Sequence, residues 1–408
     1  MRDGRPTRSN SSMFLSHLQC TETGARHDAS VLQTVSLEAK MPLEAIYDLE
    51  RVRAAVCRDA LTLRPSTMWK YREVLPLAQG LEPVSLGEGG TPLVQLPRLG
   101  AELDLPRLEV KDEGQNPTGS FKARGMSAAV SMAKALGATA LAAPSAGNAG
   151  GALAAYGARA GLPVHLAMPR DVPASNLLEA TVCGAHVELI DGNISDCGAW
   201  IRERCARDGW FDLSTLKEPY RVEGKKTMGY ELCEQLGWTL PDVILYPAGG
   251  GTGLVGMWKA FHELRELGWL DAQQALPRMV VVQASGCAPI VDAFHSGATH
   301  ATPPSSPHTV ASGLRVPKAI GDRWMLRVLR ESNGTAIAID DADLVAGSRQ
   351  VAASEGVFFA PEAGALVAAC AKLRANGFLQ PSDRVTLFNT GTGLKYGEVF
   401  AGLGKETK

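Results

Sequence analysis

The segment Asn116-Pro117-Thr118-Gly119-Ser120-Phe121-Lys122-Ala123-Arg124-Gly125 sets one lysine between a Pro/Gly turn and a small-residue run, Met126 to Leu136, that reads as a helix. An amine held at such a junction, flanked by hydroxyls and glycine, suits Schiff-base chemistry. That chemistry needs a lowered pKa and close backbone approach, and lysine is the usual protein amine for pyridoxal phosphate. Set against this is an ordinary solvated lysine near a helix start.

Two glycine-rich segments supply anion sites. Pro144-Ser145-Ala146-Gly147-Asn148-Ala149-Gly150-Gly151 stands between an apolar run, Thr139 to Ala143, and the Ala-rich run Ala152 to Ala160. Strand, glycine loop and helix in that order present backbone N–H groups to a carboxylate at a helix N-terminus, with Asn148 as an added neutral donor. Pro247-Ala248-Gly249-Gly250-Gly251-Thr252-Gly253 follows Val243 to Tyr246 and precedes a helix from Leu254 to about Leu264. Its glycines let the backbone wrap a phosphate. It is neither a Walker loop nor a dinucleotide fingerprint, and a tight turn of any doubly wound sheet is the simpler alternative.

The elements that must position these loops alternate. Val110, Ala140 to Ala143, Val164 to Met168, Val187 to Ile190, Val243 to Tyr246, Val280 to Gln283 and Val385 to Phe388 read as short buried strands, mostly separated by Ala/Leu-rich helices. That predicts an α/β fold with mostly parallel sheets and ligands at the strand carboxyl ends. Ala301 to Pro307 reads as a loop.

Together the three motifs resemble the fold-type II pyridoxal-phosphate-dependent enzymes, and among these the threonine synthases. Met68 to Glu73, Gly87 to Leu93, Pro219 to Thr227 and Asn389 to Lys395 extend the resemblance from about residue 14 to 397. It implies a tryptophan-synthase-β-like architecture of two open, mostly parallel sheets with helices on both faces and the cofactor in the cleft between lobes. The expected division is an arm over 1–60, a large domain over 61–129 and 226–400, a small insert over 130–225 and a tail over 401–408. The resemblance makes Lys122 the Schiff-base lysine, Phe121 the neighbour of the cofactor ring and Asn148 the partner of its 3′-oxygen. Gly249, Gly250, Gly251, Thr252 and Gly253 become the cradle of its phosphate, and Thr390 the hydroxyl facing the pyridine nitrogen. A hydroxyl there, unlike a carboxylate, does not hold the ring protonated, which favours elimination and replacement over transamination.

Threonine synthase chemistry converts O-phospho-L-homoserine and water into L-threonine and phosphate. It brings a second dianion into the pocket and so requires a second cationic patch. Arg221 is the first choice, with Lys225 behind it; Ser120 and Ser145 add hydroxyls, and Ala146 and Gly147 complete the substrate loop. A solvated charged turn before a helix is the alternative for Arg221 and Lys225. Glu362 falls where relatives carry an acid near the cofactor, as a wall residue or a proton donor to the leaving group. Competing activities are a threonine or serine dehydratase, which needs no γ-phosphate site, and a cysteate-synthase-like β-replacement on a phosphorylated amino acid. The absence of a regulatory domain after Lys408 argues against a controlled dehydratase. An inactive scaffold conflicts with retention of Lys122, Asn148, the glycine loop and Thr390.

The chain has 408 residues, 45% of them hydrophobic, enough for two or more cores, and a net charge of −2 with no basic block pointing to nucleic acid or membrane. No apolar run approaches the roughly 20 residues of a membrane span. Met1 to Ser12 is polar with three arginines and reads as a frayed tail or, less readily, an organelle presequence. The eight cysteines form no C-x-x-C pair, so free thiols in a reducing cytoplasm are expected. Family resemblance implies a homodimer. Relatives often carry a zinc knuckle near residue 20; its ligand positions here would be Cys20, Thr23, Ser36 and Ala39. One thiol cannot hold structural zinc, so no metal is expected, and the lobe persists as a metal-free arm or is partly disordered.

Overall fold

The computed structural model describes residues 14–401; the expectations for Met1 to Ser12 and for residues 402–408 fall outside the described residues. Three sheets organise the chain. β1 (Leu15–Cys20), β2 (Arg26–His27) and β3 (Leu43–Tyr47) form an antiparallel arm ordered β2-β1-β3. β4 (Leu93–Gln95) and β5 (Leu108–Asp112) belong to the large sheet. β6 (Leu141–Pro144), β7 (Val164–Pro169), β8 (His186–Ile190) and β9 (Phe211–Asp212) make a small parallel sheet ordered β8-β7-β6-β9. β10 (Val243–Pro247), β11 (Arg278–Ala284), β12 (Thr335–Ile339) and β13 (Val385–Asn389) complete the large sheet, ordered β12-β11-β10-β13-β5-β4 and parallel except at β4.

The continuous apolar runs follow from burial on both faces. Ile244, Tyr246, Met279 and Val281 enter one hydrophobic core, while their neighbours Val243, Leu245, Val280 and Val282 enter another on the opposite side. Helices Lys122–Ala135, Tyr220–Gln235 and Thr252–Glu266 contribute to the first, and Pro361–Ala375 to the second. The expected boundaries at 130 and 225 fall inside the helices Lys122–Ala135 and Tyr220–Gln235, which pack on each other; the first also packs on Asn148–Ala160, which follows β6 of the small sheet, and the second on Thr252–Glu266, which follows β10 of the large sheet.

The arm is folded, and its apolar residues, Leu18 and Ala45 among them with no exposed surface, join the first hydrophobic core. The Cys20 thiol lies in hydrogen-bonding range of the Thr23 and Ser36 hydroxyls, which hold it below the ordinary thiol range despite burial. Three of the four knuckle positions therefore still converge, through hydroxyls instead of thiols. Among the described residues no cluster of three His, Cys, Asp or Glu side chains could hold a metal.

Beneath the lysine helix is a buried charge network. Arg124, with no exposed surface, donates to Glu113 from Nε and Nη2 at 2.7 Å each and to Glu231 from Nη1 at 2.9 Å. Lys111 pairs with the same Glu231. These cations hold the Glu231 carboxyl well below the usual range although burial opposes it. Arg124→Met leaves two buried carboxylates short of a partner, and a loss of about 3–5 kcal/mol in unfolding free energy is expected. Denaturant unfolding checks it.

Candidate active site

Three loops meet because their strands are neighbours. β5, β13 and β10 lie side by side and parallel, so the segments that leave their carboxyl ends open on one edge of the sheet. The segment after β5 carries Phe121 and Lys122, the one after β13 carries Thr390, and the one after β10 is the glycine loop. Backbone bonds fix the first two against each other: Phe121 N donates to the Thr390 carbonyl at 3.1 Å and Thr392 N to the Gly119 carbonyl at 2.9 Å. The loop after β6, Ser145 to Gly147, faces them from the small sheet across a cavity of about 160 Å³.

Phe121, Lys122, Ala146, Gly147, Asn148, Arg221, Lys225, Gly249, Gly250, Gly251, Thr252 and Thr390 all border this cavity. Ser145 borders it too, but its hydroxyl serves its own loop, donating to the Gly147 carbonyl at 2.8 Å and accepting from Gly150 N at 2.8 Å. Ser120 and Gly253 do not border it. Ser120 is fully buried in a bridge to Gly391, and a Cβ on Gly253 would stand 2.1 Å from the Tyr246 hydroxyl, so that glycine serves helix-to-strand packing.

Lys122 is the first residue of its helix, with Nζ 3.9 Å from the Phe121 ring centroid. Burial, helped by the positive charge of Arg221 and opposed by Glu362, brings its ammonium down to about 7. A substantial share of the amine is therefore unprotonated near neutral pH, as a nucleophilic amine requires.

Arg221 and Lys225 sit one turn apart in the helix Tyr220–Gln235 and are 2% and 0% exposed, so the solvated-turn alternative fails. The helix is started by Glu218, whose carboxylate accepts from Tyr220 N at 2.7 Å and Arg221 N at 3.1 Å. Burial raises the Glu218 carboxyl to about 7. Arg221 Nη1 donates to the Leu213 carbonyl at 2.8 Å while its buried Nε has no partner.

The site fits pyridoxal phosphate. Gly249, Gly250 and Gly251 have no room for a side chain: a Cβ would come within 2.2 Å of the Gly313 carbonyl, 2.9 Å of Thr215 and 2.1 Å of Met325 respectively, and Gly251 has φ +73°. The backbone thus turns in upon the cavity, and the helix Thr252–Glu266 starts with no side-chain cap, leaving its first turn to an anion. Asn148 Oδ1 is buried without a partner, and its Nδ2 donates to the Tyr396 hydroxyl at 3.2 Å.

Tyr396 and Ser312 escaped the sequence reading altogether, and Glu362 was legible only as an acid of uncertain use. Glu362, 5% exposed, accepts at Oε1 from the Tyr396 hydroxyl at 2.7 Å and Gly313 N at 2.8 Å; its Oε2 is buried without a partner. Burial pushes its carboxyl above the usual range. Its negative charge favours the ammonium form of Lys122, so Glu362→Gln is expected to move the Lys122 titration to lower pH. The pH dependence of amine labelling at Lys122 in the cofactor-free protein measures this directly.

Comparisons with known proteins agree with this geometry. The family model "Pyridoxal-phosphate dependent enzyme" matches residues 84–391. The threonine synthase of Methanosarcina acetivorans is 37% identical over 380 residues, covering 93% of this chain and 92% of that protein. That of Methanocaldococcus jannaschii is 35% identical over 378 residues, covering 92% of each. Among solved structures, maize serine racemase superposes with a TM-score of 0.66 at 21% identity, covering 77% of this chain and 92% of its own, a likeness of fold. Lysine helix, glycine cradle and cleft, with relatives matched over nearly their whole length, place this chain in the pyridoxal-phosphate-dependent enzyme family, among the threonine synthases.

Proposed function

We propose that this chain makes L-threonine and phosphate from O-phospho-L-homoserine and water. The observation that carries the reading is Arg221: a buried guanidinium with an unpartnered Nε, no carboxylate within salt-bridge distance among the described residues, and a place in the same cleft as Lys122. A dehydratase has no second phosphate to bind there.

Pyridoxal phosphate, when bound, supplies the electron sink that makes the substrate's Cα proton acidic. Lys122 anchors it, and the same Nζ, held near neutrality, takes and returns that proton. Arg221 binds the substrate phosphate and stabilises it as the Cγ–O bond breaks, with the electron pair leaving on oxygen. One proton leaves Cβ and one arrives at Cγ. Water then adds its hydroxyl to Cβ, and its remaining proton ends on the released phosphate. Asn148 holds the cofactor's 3′-oxygen and Thr390 faces its ring nitrogen. Gly249 to Thr252 hold its phosphate, and Ala146 and Gly147 line the substrate carboxylate's side. Phe121 walls the cleft. The buried glycine turns and apolar walls keep bulk water from the reacting carbons. The two-lobe division, a homodimer and a cytoplasmic location belong to the same proposal.

The test is purified, cofactor-loaded protein given O-phospho-L-homoserine. Equal amounts of phosphate and threonine are expected. No turnover with an intact cofactor spectrum would sink the substrate assignment, and phosphoserine, serine and threonine would be tried next.

A further inference from the structure

We propose that Lys225 is a binding residue for the cofactor's phosphate, acting beside and through Thr252, and that it is separate from the substrate's phosphate site. The inference rests on the glycine loop being the cofactor-phosphate cradle. Two cations one turn apart on a single helix would be expected to serve one anion, but their anchors diverge. Arg221 is tied to the Leu213 carbonyl, just beyond β9 of the small sheet. Lys225 Nζ instead donates to Thr252 Oγ1 at 2.7 Å, in the loop after β10 of the large sheet. Thr252 is the first residue of the helix Thr252–Glu266 and only 4% exposed.

The direction of that bond matters. Once protonated as the phosphate arrives, the Lys225 ammonium is donor-only, so the threonine oxygen then accepts and the hydroxyl's own hydrogen is left for an acceptor in the cradle. Lys225 thereby aims the Thr252 hydroxyl while adding a full positive charge behind the partial charges of the loop amides. A buried dianion held by dipoles alone lacks a compensating charge. The two helices pack closely around this lysine: a Cβ on Gly125, inside the opposing helix, would stand 2.9 Å from Lys225 Cε and 3.0 Å from the Arg221 carbonyl oxygen. Lys225 Nζ is also 4.9 Å from the Phe121 ring centroid, and no carboxylate lies within salt-bridge distance of it among the described residues.

The charged groups facing Lys225 are Arg221 on its own helix, Lys122 from the opposing helix and Glu218 from the segment before. Burial and the two cations hold its amine well below the ordinary range, with Glu218 opposing. A phosphate dianion arriving in the cradle reverses that balance, so binding draws in a proton and weakens as pH rises through the bound-state titration.

Lys225→Met and Thr252→Val are the test variants, each compared with wild type in cofactor-free form. Thermal unfolding first establishes that they fold, and Lys225→Gln, which keeps a donor for Thr252 without the charge, stands in if the methionine variant does not. For Lys225→Met the expected results are a cofactor Kd raised at least about tenfold, weaker binding of inorganic phosphate, less proton uptake by calorimetry in buffers of different ionisation enthalpy, and a KM for O-phospho-L-homoserine within about threefold at saturating cofactor. An unchanged cofactor Kd, with or without a raised KM, overturns the proposal when Thr252→Val does weaken the cofactor. If Thr252→Val leaves cofactor affinity intact, the cradle reading itself fails.

Discussion

Lys122→Ala is expected to abolish threonine formation, with a fall in kcat of at least about 10³-fold, since it removes both the anchoring amine and the general base. The variant should still fold, because the Lys122 side chain makes no ion pair among the described residues and the turn that carries it is held by the backbone bonds Phe121 N to Thr390 O and Thr392 N to Gly119 O. Borohydride reduction of the loaded wild type followed by mass spectrometry should find the cofactor on Lys122, and on no residue of the variant. The pH dependence has a definite sign. The amine reacts only when unprotonated, and burial brings its titration to about 7. Covalent capture in the wild type should therefore rise from acid pH and level off above neutrality, instead of climbing toward the ordinary lysine range near 10.4. A midpoint near the ordinary value would mean that the cleft does not desolvate this amine, and the nucleophile would have to be sought elsewhere.

How far this site was legible in the sequence depends on the kind of residue. Strands β6, β7, β10, β11 and β13 could be read because they are largely buried on both faces and so run mostly apolar; β8, exposed at His186 and Glu188, shows only through Val187 and Leu189–Ile190, and β5, where buried Glu109, Lys111 and Asp112 interrupt the apolar run, only through Val110. β12 was not read although Ser332-Asn333-Gly334 marks a turn just ahead of it: it is an edge strand, half-buried at Thr335, Ile337 and Ala338, and its short Ala/Ile run is only weakly apolar. β9, two residues long, gains its place only from its bonds to β6. The glycine loops announced themselves because a backbone that must approach an anion cannot carry side chains. Tyr396 gave no such sign; its role comes from a hydroxyl reaching Asn148 and Glu362 across 248 and 34 residues of sequence respectively. The assignment of Arg221 and Lys225 to one phosphate rests on the family-like segment Pro219 to Thr227 that carries both, yet their opposite anchors on Leu213 and Thr252 are visible only in three dimensions.

The sharpest test of the substrate assignment is Arg221→Ala, for which kcat/KM with O-phospho-L-homoserine is expected to fall about 10²-fold, the scale for removing a buried charge from a bound anion. Two terms add. The substrate dianion loses a charge-assisted partner, and the departing phosphate loses the group that stabilises its negative charge. Arg221→Lys should recover little, because an ammonium cannot both hold the Leu213 carbonyl and present a second donor in the fixed geometry of a guanidinium. The cofactor should remain bound with a near-normal absorption spectrum, since Lys225 and Thr252 stay in place behind the cradle. Loss of Arg221 also removes a positive charge that lowers the Lys122 titration, so capture of the cofactor should shift modestly to higher pH. That shift separates the electrostatic role from simple misfolding, which would broaden unfolding and weaken the cofactor together. If Arg221→Ala instead keeps full kcat/KM on the phosphorylated substrate, the buried guanidinium is structural. A β-eliminating lyase that needs no second phosphate site would then describe this cleft better.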